Sequence, residues 1–363
     1  MFLALRELSF ARGRFALIGS VIALVGVLTV LLSGLANGLV DDGISGLRAL
    51  PVSHLGFQQG ADSTFSRSTV GTDEVEALAA VPGATAEPFG LTLVNATNDD
   101  DANFDLALMG LADDGFVAEA MLPDGPLAPG SAVVTEGLVE EGLEVGDVLS
   151  IDRSEVSLTV VGVAPKATYG HVDAVYVTLA DWQEVSNLDP SDDPQVASAV
   201  AITGGDDAAL ERAGAEVDID VVTRTEAYAG SPGYSAETST MSLIRGFLYV
   251  ISAMILGSFF TVWTIQRRSE IGLQKALGAS TGAVLRDAFA QVLIVLTAAT
   301  AVGTAIGYGL GKLIEGGEVP FALDLSTALG AALVLIASGA IGTVVGVRKV
   351  TSVDPIIALG AAA

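Results

Sequence analysis

The sequence has no cysteine and only two histidines, His54 and His171, among 363 residues. Disulfides, thiolate metal sites and thiol nucleophiles are therefore excluded. Positive charge is also scarce: 17 Lys and Arg face 43 Asp and Glu, a net charge of −26. Binding to a phosphate backbone needs clustered Lys and Arg, so nucleic acid is not a partner. Catalytic motifs are missing as well. There is no HExxH and no GxSxG. The single Gly-Lys pair, Gly311-Lys312, lacks the upstream Gly and the following Ser/Thr of a P-loop, so the chain is not expected to hydrolyse ATP. The run Asp99-Asp100-Asp101 reads as a solvated loop in an acidic region rather than a metal site.

Charge of either sign makes up only 17% of the chain, while 51% is hydrophobic and mean hydropathy is +0.58. Such averages arise when apolar residues are gathered into spans. Four runs carry no charged residue: 15–40, 246–265, 288–311 and 325–347. Each is long enough to cross a bilayer as a helix, which takes about 20 residues. The first is too long for a signal-peptide core and no small-residue cleavage site follows it. Nine basic residues flank the spans on one side: Arg6, Arg12, Arg14, Arg267, Arg268, Lys275, Arg286, Arg348 and Lys349. The short loop between spans three and four holds only Lys312. The positive-inside rule then puts both termini in the cytoplasm and residues 41–244 outside a multi-pass plasma-membrane protein.

The expected organisation follows. Residues 1–14, MFLALRELSFARGR, form an amphipathic interfacial helix, with Leu5, Leu8 and Ala11 on one face. Spans 15–40, 245–265, 288–311 and 325–347 enclose an extracytoplasmic domain at 41–244, a cytoplasmic segment at 266–287 and a short external loop at 312–324. A cytoplasmic tail occupies 348–363. The domain carries 36 Asp and Glu against six Lys and Arg, a net of −30. It reads as mixed α/β. Helices are expected at 72–81, stopped by Pro82-Gly83, then at 136–142, 180–185 and 206–214. Strands are expected at 89–95, 104–111, 132–135, 148–151, 156–163, 172–179, 197–203 and 217–222.

The loop after the second span reads RRSEIGLQKALGAS from Arg267 to Ser280. Residues 269–277 are good helix formers, Gly278 supplies a stop, and Ser280 is placed to cap the next helix. The result is a short stiff lever between two spans. This stretch closely resembles the cytoplasmic segment of the MacB/FtsX class of ABC-transporter permeases. So do the topology and the external pattern VVTEGLVEEGLEVGDVLSI. The resemblance covers essentially the whole chain. It implies a homodimer whose two copies each dock a separate cytoplasmic ATPase through Arg267, Arg268, Glu270, Ile271, Leu273, Lys275, Leu277 and Gly278. It further implies that ATP-driven motion is transmitted to the outer side rather than through a central pore. The opening MFLALRELSFARGRF and the modest domain look most like the haem-efflux permeases of Gram-positive bacteria. An FtsX-like signalling permease, controlling a cell-wall hydrolase or a sensor kinase, is the alternative.

A haem cargo would partition into the lipid of the outer leaflet, and its site needs an apolar slot, an axial ligand and a cation for a propionate. Tyr, Met and His are all axial ligand types. Tyr234, Glu237, Met241, Arg245 and Tyr249 are spaced 3, 4, 4 and 4, one stripe if the helix begins before the membrane. Ser33 and Asn37 stand as candidates on the first span, with Glu226 and Tyr228 upstream of the stripe. Tyr249 and Arg245 also suit a plain interfacial anchor. His54 and His171 read as surface or core histidines. No intrinsic cofactor or metal is expected. Gly303, Gly307 and Gly311, Gly342 and Gly346, and Gly34 and Gly38 repeat every four residues, as close-packed membrane helices require. Spacing alone does not say whether they pack within one chain or build the dimer.

Overall fold

The computed structural model describes residues 12–122, 125–189, 191, 193–266, 280–315, 317 and 319–351. Among these, four helices are long and apolar enough to cross a membrane: α1 (Arg12–Ala49), α8 (Tyr234–Gln266), α9 (Thr281–Ile314) and α10 (Leu325–Thr351). The interfacial helix expected at 1–14 falls mostly outside the described residues.

Two compact units result. One is Val40–Glu237, and the other holds the helical residues on either side of it. Both helices that lead into and out of the α/β unit are longer than their charge-free runs. α1 continues past residue 40 to Ala49, and α8 starts at Tyr234 rather than 245. Absence of charge marks where a helix meets lipid. It does not mark where the helix ends, because backbone hydrogen bonding continues through polar residues once water is available.

The Val40–Glu237 unit is built on one ten-stranded sheet. Its strands are β1 (His54–Gln58), β2 (Ala84–Thr97), β3 (Asn103–Leu111), β4 (Ser131–Thr135), β5 (Val148–Ile151), β6 (Ser157–Ala164), β7 (Thr168–Tyr169), β8 (Val172–Thr178), β9 (Ala199–Gly204) and β10 (Ile219–Thr223). The order is β10-β1-β9-β2-β3-β8-β4-β6-β5, with β7 on β8. The far end closes on itself: Ala96 and Thr97 of the long β2 also pair with Ile151 and Ser150 of β5. Parallel pairs (β3 with β8, β4 with β6) sit among antiparallel ones.

Alternation along the strands builds two cores. Leu106, Leu108, Val175, Val177, Val200 and Ile202 face one side, against Val75 and Leu78 of α2 (Thr72–Ala79), Trp182 of α5 (Leu179–Val185) and Leu210 of α6 (Asp207–Glu216). Ala107, Met109, Ala174, Tyr176, Ala199 and Ala201 face the other, where they meet Ile44 and Leu47 at the end of α1 and Val117 of α3 (Phe116–Met121). Period-two burial of this kind fixes register, because a one-residue slip would turn every side chain to the wrong face. Trp182 lies over two strand glycines, Gly90 and Gly110, where a Cβ would overlap the indole. Two short helices complete the unit: α4 (Glu136–Glu140) and α7 (Arg224–Ala227).

Among the helices outside the α/β unit, the small-residue repeats pack within the chain. Gly303 and Gly307 of α9 abut Ala23 and Val27 of α1, and Gly257 of α8 abuts Gly342 of α10. Gly34 and Gly38 receive the connection before α10, with Phe321 lying on Gly34 and Pro320 on Gly38. The Ala322 amide donates to the Gly34 carbonyl at 3.1 Å. Gly346 carries no described side-chain environment.

Candidate functional site

Within Val40–Glu237, the last turns of α1 and the first turn of α8 meet one hairpin in a cluster of polar contacts. Strands β7 and β8 are joined by Gly170 and His171, with φ of +61° and +66°. Two successive left-handed residues are the signature of a type I′ hairpin turn. Glycine takes this conformation freely, and histidine is one of the few other residues enriched there. The turn aims the imidazole between two carboxylates: Nδ1 stands 2.9 Å from Asp42 Oδ2 on α1, and Nε2 stands 3.0 Å from Glu237 Oε1 on α8. Both nitrogens can donate at once only in the imidazolium form. Partial burial opposes that charge, but the hydrogen bonds and fields of Asp42 and Glu237 outweigh it and raise the pKa of His171.

Further bonds tie the hairpin down. The Gly170 amide donates to Gly43 O at 2.9 Å, the Thr168 amide to Ser45 Oγ at 2.9 Å, and the Tyr169 hydroxyl to Gly230 O at 3.2 Å. Burial pushes the Tyr169 phenol up, so it remains a neutral donor. Ser231 Oγ donates directly to Gly43 O at 2.7 Å. Gly233, at φ +83°, lets the chain turn into α8, and a Cβ there would press on the Glu237 carboxylate. The second Glu237 oxygen, Oε2, is buried without a hydrogen-bond partner.

The candidate stripe lies on one helix, as its spacing requires. Tyr234, Glu237, Met241, Arg245 and Tyr249 are all half-buried, while Leu243 and Phe247 between them, and Val250 and Ile251 just beyond, are exposed. Tyr234 stacks edge-on against the buried Tyr228 with ring centroids 6.1 Å apart. Glu226 caps α7: its Oε2 accepts from the Thr223 amide at 2.9 Å and from the Thr223 hydroxyl at 2.7 Å, which lowers its pKa. Asn37 donates to Thr327 Oγ1 on α10 at 3.1 Å, and the Ser33 hydroxyl bonds its own helix at Thr29 O. Glu226, Asn37 and Ser33 thus hold helices in place. The proposed ATPase-docking residues Arg267, Arg268, Glu270, Ile271, Leu273, Lys275, Leu277 and Gly278 lie outside the described residues.

Sequence reasoning missed the Asp42 contact and underrated His171. A Gly-His pair between two β-branched, aromatic-rich runs was the available signal, since it marks a hairpin turn. The other histidine, His54, has its Nε2 3.5 Å from the exposed Asp207. An apolar groove of about 810 Å³ also runs between α1 and α9, lined by Gly19, Ala23, Leu24, Val27, Val302 and Ile306 among others. No group of three or more His, Asp or Glu among the described residues is arranged to hold a metal ion.

Residues 242–355 match the FtsX-like permease C-terminal family. The chain carries an FtsX-like permease domain. Its similarity to known permeases extends further. It is 24% identical over 365 residues to the putative hemin transport system permease protein HrtB of Staphylococcus epidermidis, covering 99% of both chains. The corresponding protein of Staphylococcus haemolyticus is also 24% identical, again over 99% of both. An uncharacterized ABC transporter permease of Mycobacterium tuberculosis is 22% identical over 366 residues. Among solved structures, the periplasmic region of MacB from Actinobacillus actinomycetemcomitans aligns with a TM-score of 0.37 and 11% identity, covering 49% of this chain and 92% of that one. The extracellular domain of YknZ from Gram-positive bacteria aligns with a TM-score of 0.34 and 13% identity, covering 46% and 91%. From end to end the chain is similar to ABC-transporter permeases, with an FtsX-like permease domain at 242–355 and a mixed α/β domain between its first two membrane-length helices.

Proposed function

We propose that this chain is the membrane subunit of an ABC exporter for haem, working as a homodimer with two copies of a separate cytoplasmic ATPase. In this reading both termini and residues 266–287 are cytoplasmic, and the ATPase docks on 267–278. The α/β unit lies outside and moves when ATP is hydrolysed on the partner. The chain itself performs no catalysis. The observation that carries the reading is the end-to-end similarity, at 24% identity, to proteins named as hemin transport permeases.

The α8 stripe supports the same cargo. Met241 and Tyr249 offer ligand types that haem iron accepts, and Arg245 between them offers a cation to a propionate. Glu237 is already engaged by His171, so it serves the stripe's upper end as structure.

The test is spectroscopic. Adding haem to the purified full chain should give a shifted Soret band that saturates at a fixed stoichiometry, and Met241→Ala or Tyr249→Phe should alter its position or affinity. Cells lacking the gene should become haem-sensitive. Unchanged haem tolerance together with an unshifted spectrum would remove the haem assignment and leave the permease type standing.

A further inference from the structure

We propose that the Gly170–His171 hairpin is a clasp that locks the C-terminal turns of α1 to the first turn of α8, so that these two segments keep one axial register within Val40–Glu237. The proposal does not depend on the cargo. It rests on three observations within Val40–Glu237.

First, one side chain bonds both helices. His171 reaches Asp42 on α1 and Glu237 on α8, each at about 3 Å. Sliding one helix past the other by a single turn, about 5.4 Å, would break at least one of these bonds. Second, the hairpin that presents His171 is itself stitched to both sides. Gly170 and Thr168 bond Gly43 and Ser45 on the α1 side, and Tyr169 bonds Gly230 on the approach to α8. Third, His171 is held at φ +66°, a conformation that costs a non-glycine residue energy. A glycine would form the same turn more easily. What histidine adds at this position is the two-ended bridge.

The bridge also changes what a push on either helix does. Ile44 and Leu47 of α1 are buried in the core beneath the sheet. Clasped to Glu237, that buried end makes α1 and the first turn of α8 a single support for the sheet. Unclasped, each helix would move alone.

Hydrogen–deuterium exchange on the purified full-length chain tests this. His171→Gly removes the bridge while relaxing the turn. Exchange at 40–46 and 234–240 should become about tenfold faster, the scale of one charge-assisted hydrogen bond, while strand β9 (Ala199–Gly204) stays protected. Asp42→Ala, which improves helix propensity, should still loosen 40–46. Unchanged exchange at both helix segments, or loss confined to 168–172, would overturn the clasp. If His171→Gly also unfolds β9, the Asp42→Ala variant decides by the same criterion.

Discussion

His171 Nε2 lies 3.0 Å from Glu237 Oε1, so a hairpin turn in the α/β unit holds the first turn of α8. The other ring nitrogen holds Asp42 of α1. Further out are Asp173, which accepts from Thr135 and feels Lys166 and Asp42, and the Asp41–Arg48 pair on α1. Burial opposes the charge on His171, but the hydrogen bonds and fields of Asp42 and Glu237 outweigh it and raise its pKa, and a raised pKa has a definite consequence for pH. The folded state binds the imidazole proton more tightly than the unfolded chain, so the stabilisation is fully present below the ordinary histidine pKa of about 6.5. It is lost as pH rises through the folded value. Stability of the α/β unit, followed by denaturant unfolding of the full chain, should therefore fall on going from about pH 6 to about pH 8. In His171→Asn, which tolerates the left-handed turn, that step should shrink. An unchanged step would assign it to another group.

The indole of Trp182 fills space that two strands leave open by using glycine at 90 and 110. Adding one methyl at either place forces the ring or the strand to move. Gly110→Ala should destabilise the α/β unit by about 1–3 kcal/mol, the usual cost of overpacking a core. The denaturation midpoint of the full chain should fall with little change in slope. A wild-type midpoint would mean that the indole swings away freely.

Much of this architecture is visible in the residues alone, and the reasons differ by element. Strands β3, β5 and β8 are written in short apolar runs, a local property of the sequence. The membrane helices are written in the absence of charge. What is hidden depends on closure. Strand β1, HLGFQ, is short and mixed in character and becomes a strand because β9 and β10 flank it. The hairpin β7 has two residues and exists only through its pairing with β8. At the junction, spacing alone puts Tyr234, Glu237 and Met241 on one face, because helical period is a local property. The Asp42–His171–Glu237 bridge joins residues separated by 129 and 66 positions. No periodicity connects them, and only the folded sheet brings them together.

The docking segment gives a prediction from sequence pattern. If 269–277 is a helix whose apolar side meets an ATPase, Leu273→Asp should place a charge in that contact. ATPase activity of the reconstituted pair should lose its dependence on the permease, while the thermal unfolding temperature of the permease alone stays at its wild-type value. An undiminished, permease-dependent ATPase rate would move the docking surface elsewhere.

Helix packing among the membrane-length helices offers a comparison with its own control. Gly303 sits against the backbone of Ala23, and a side chain there has nowhere to go. Gly246 has no atom within 4 Å of the position a Cβ would take. In lipid, close approach of helices is sustained by packing rather than by a hydrophobic driving force, so a wedge at Gly303 removes the contact instead of redistributing it. Gly303→Leu should lower the thermal unfolding temperature of the detergent-purified chain and reduce its yield. Gly246→Leu should leave both near wild type, because leucine is the better helix former and meets open space. If both variants behave alike, the α1–α9 contact does not set stability. If Gly246→Leu alone is disabled, that position faces something in the assembled protein, and a second copy of the chain is the first candidate to examine by crosslinking a single introduced cysteine, a label that the cysteine-free sequence makes unambiguous.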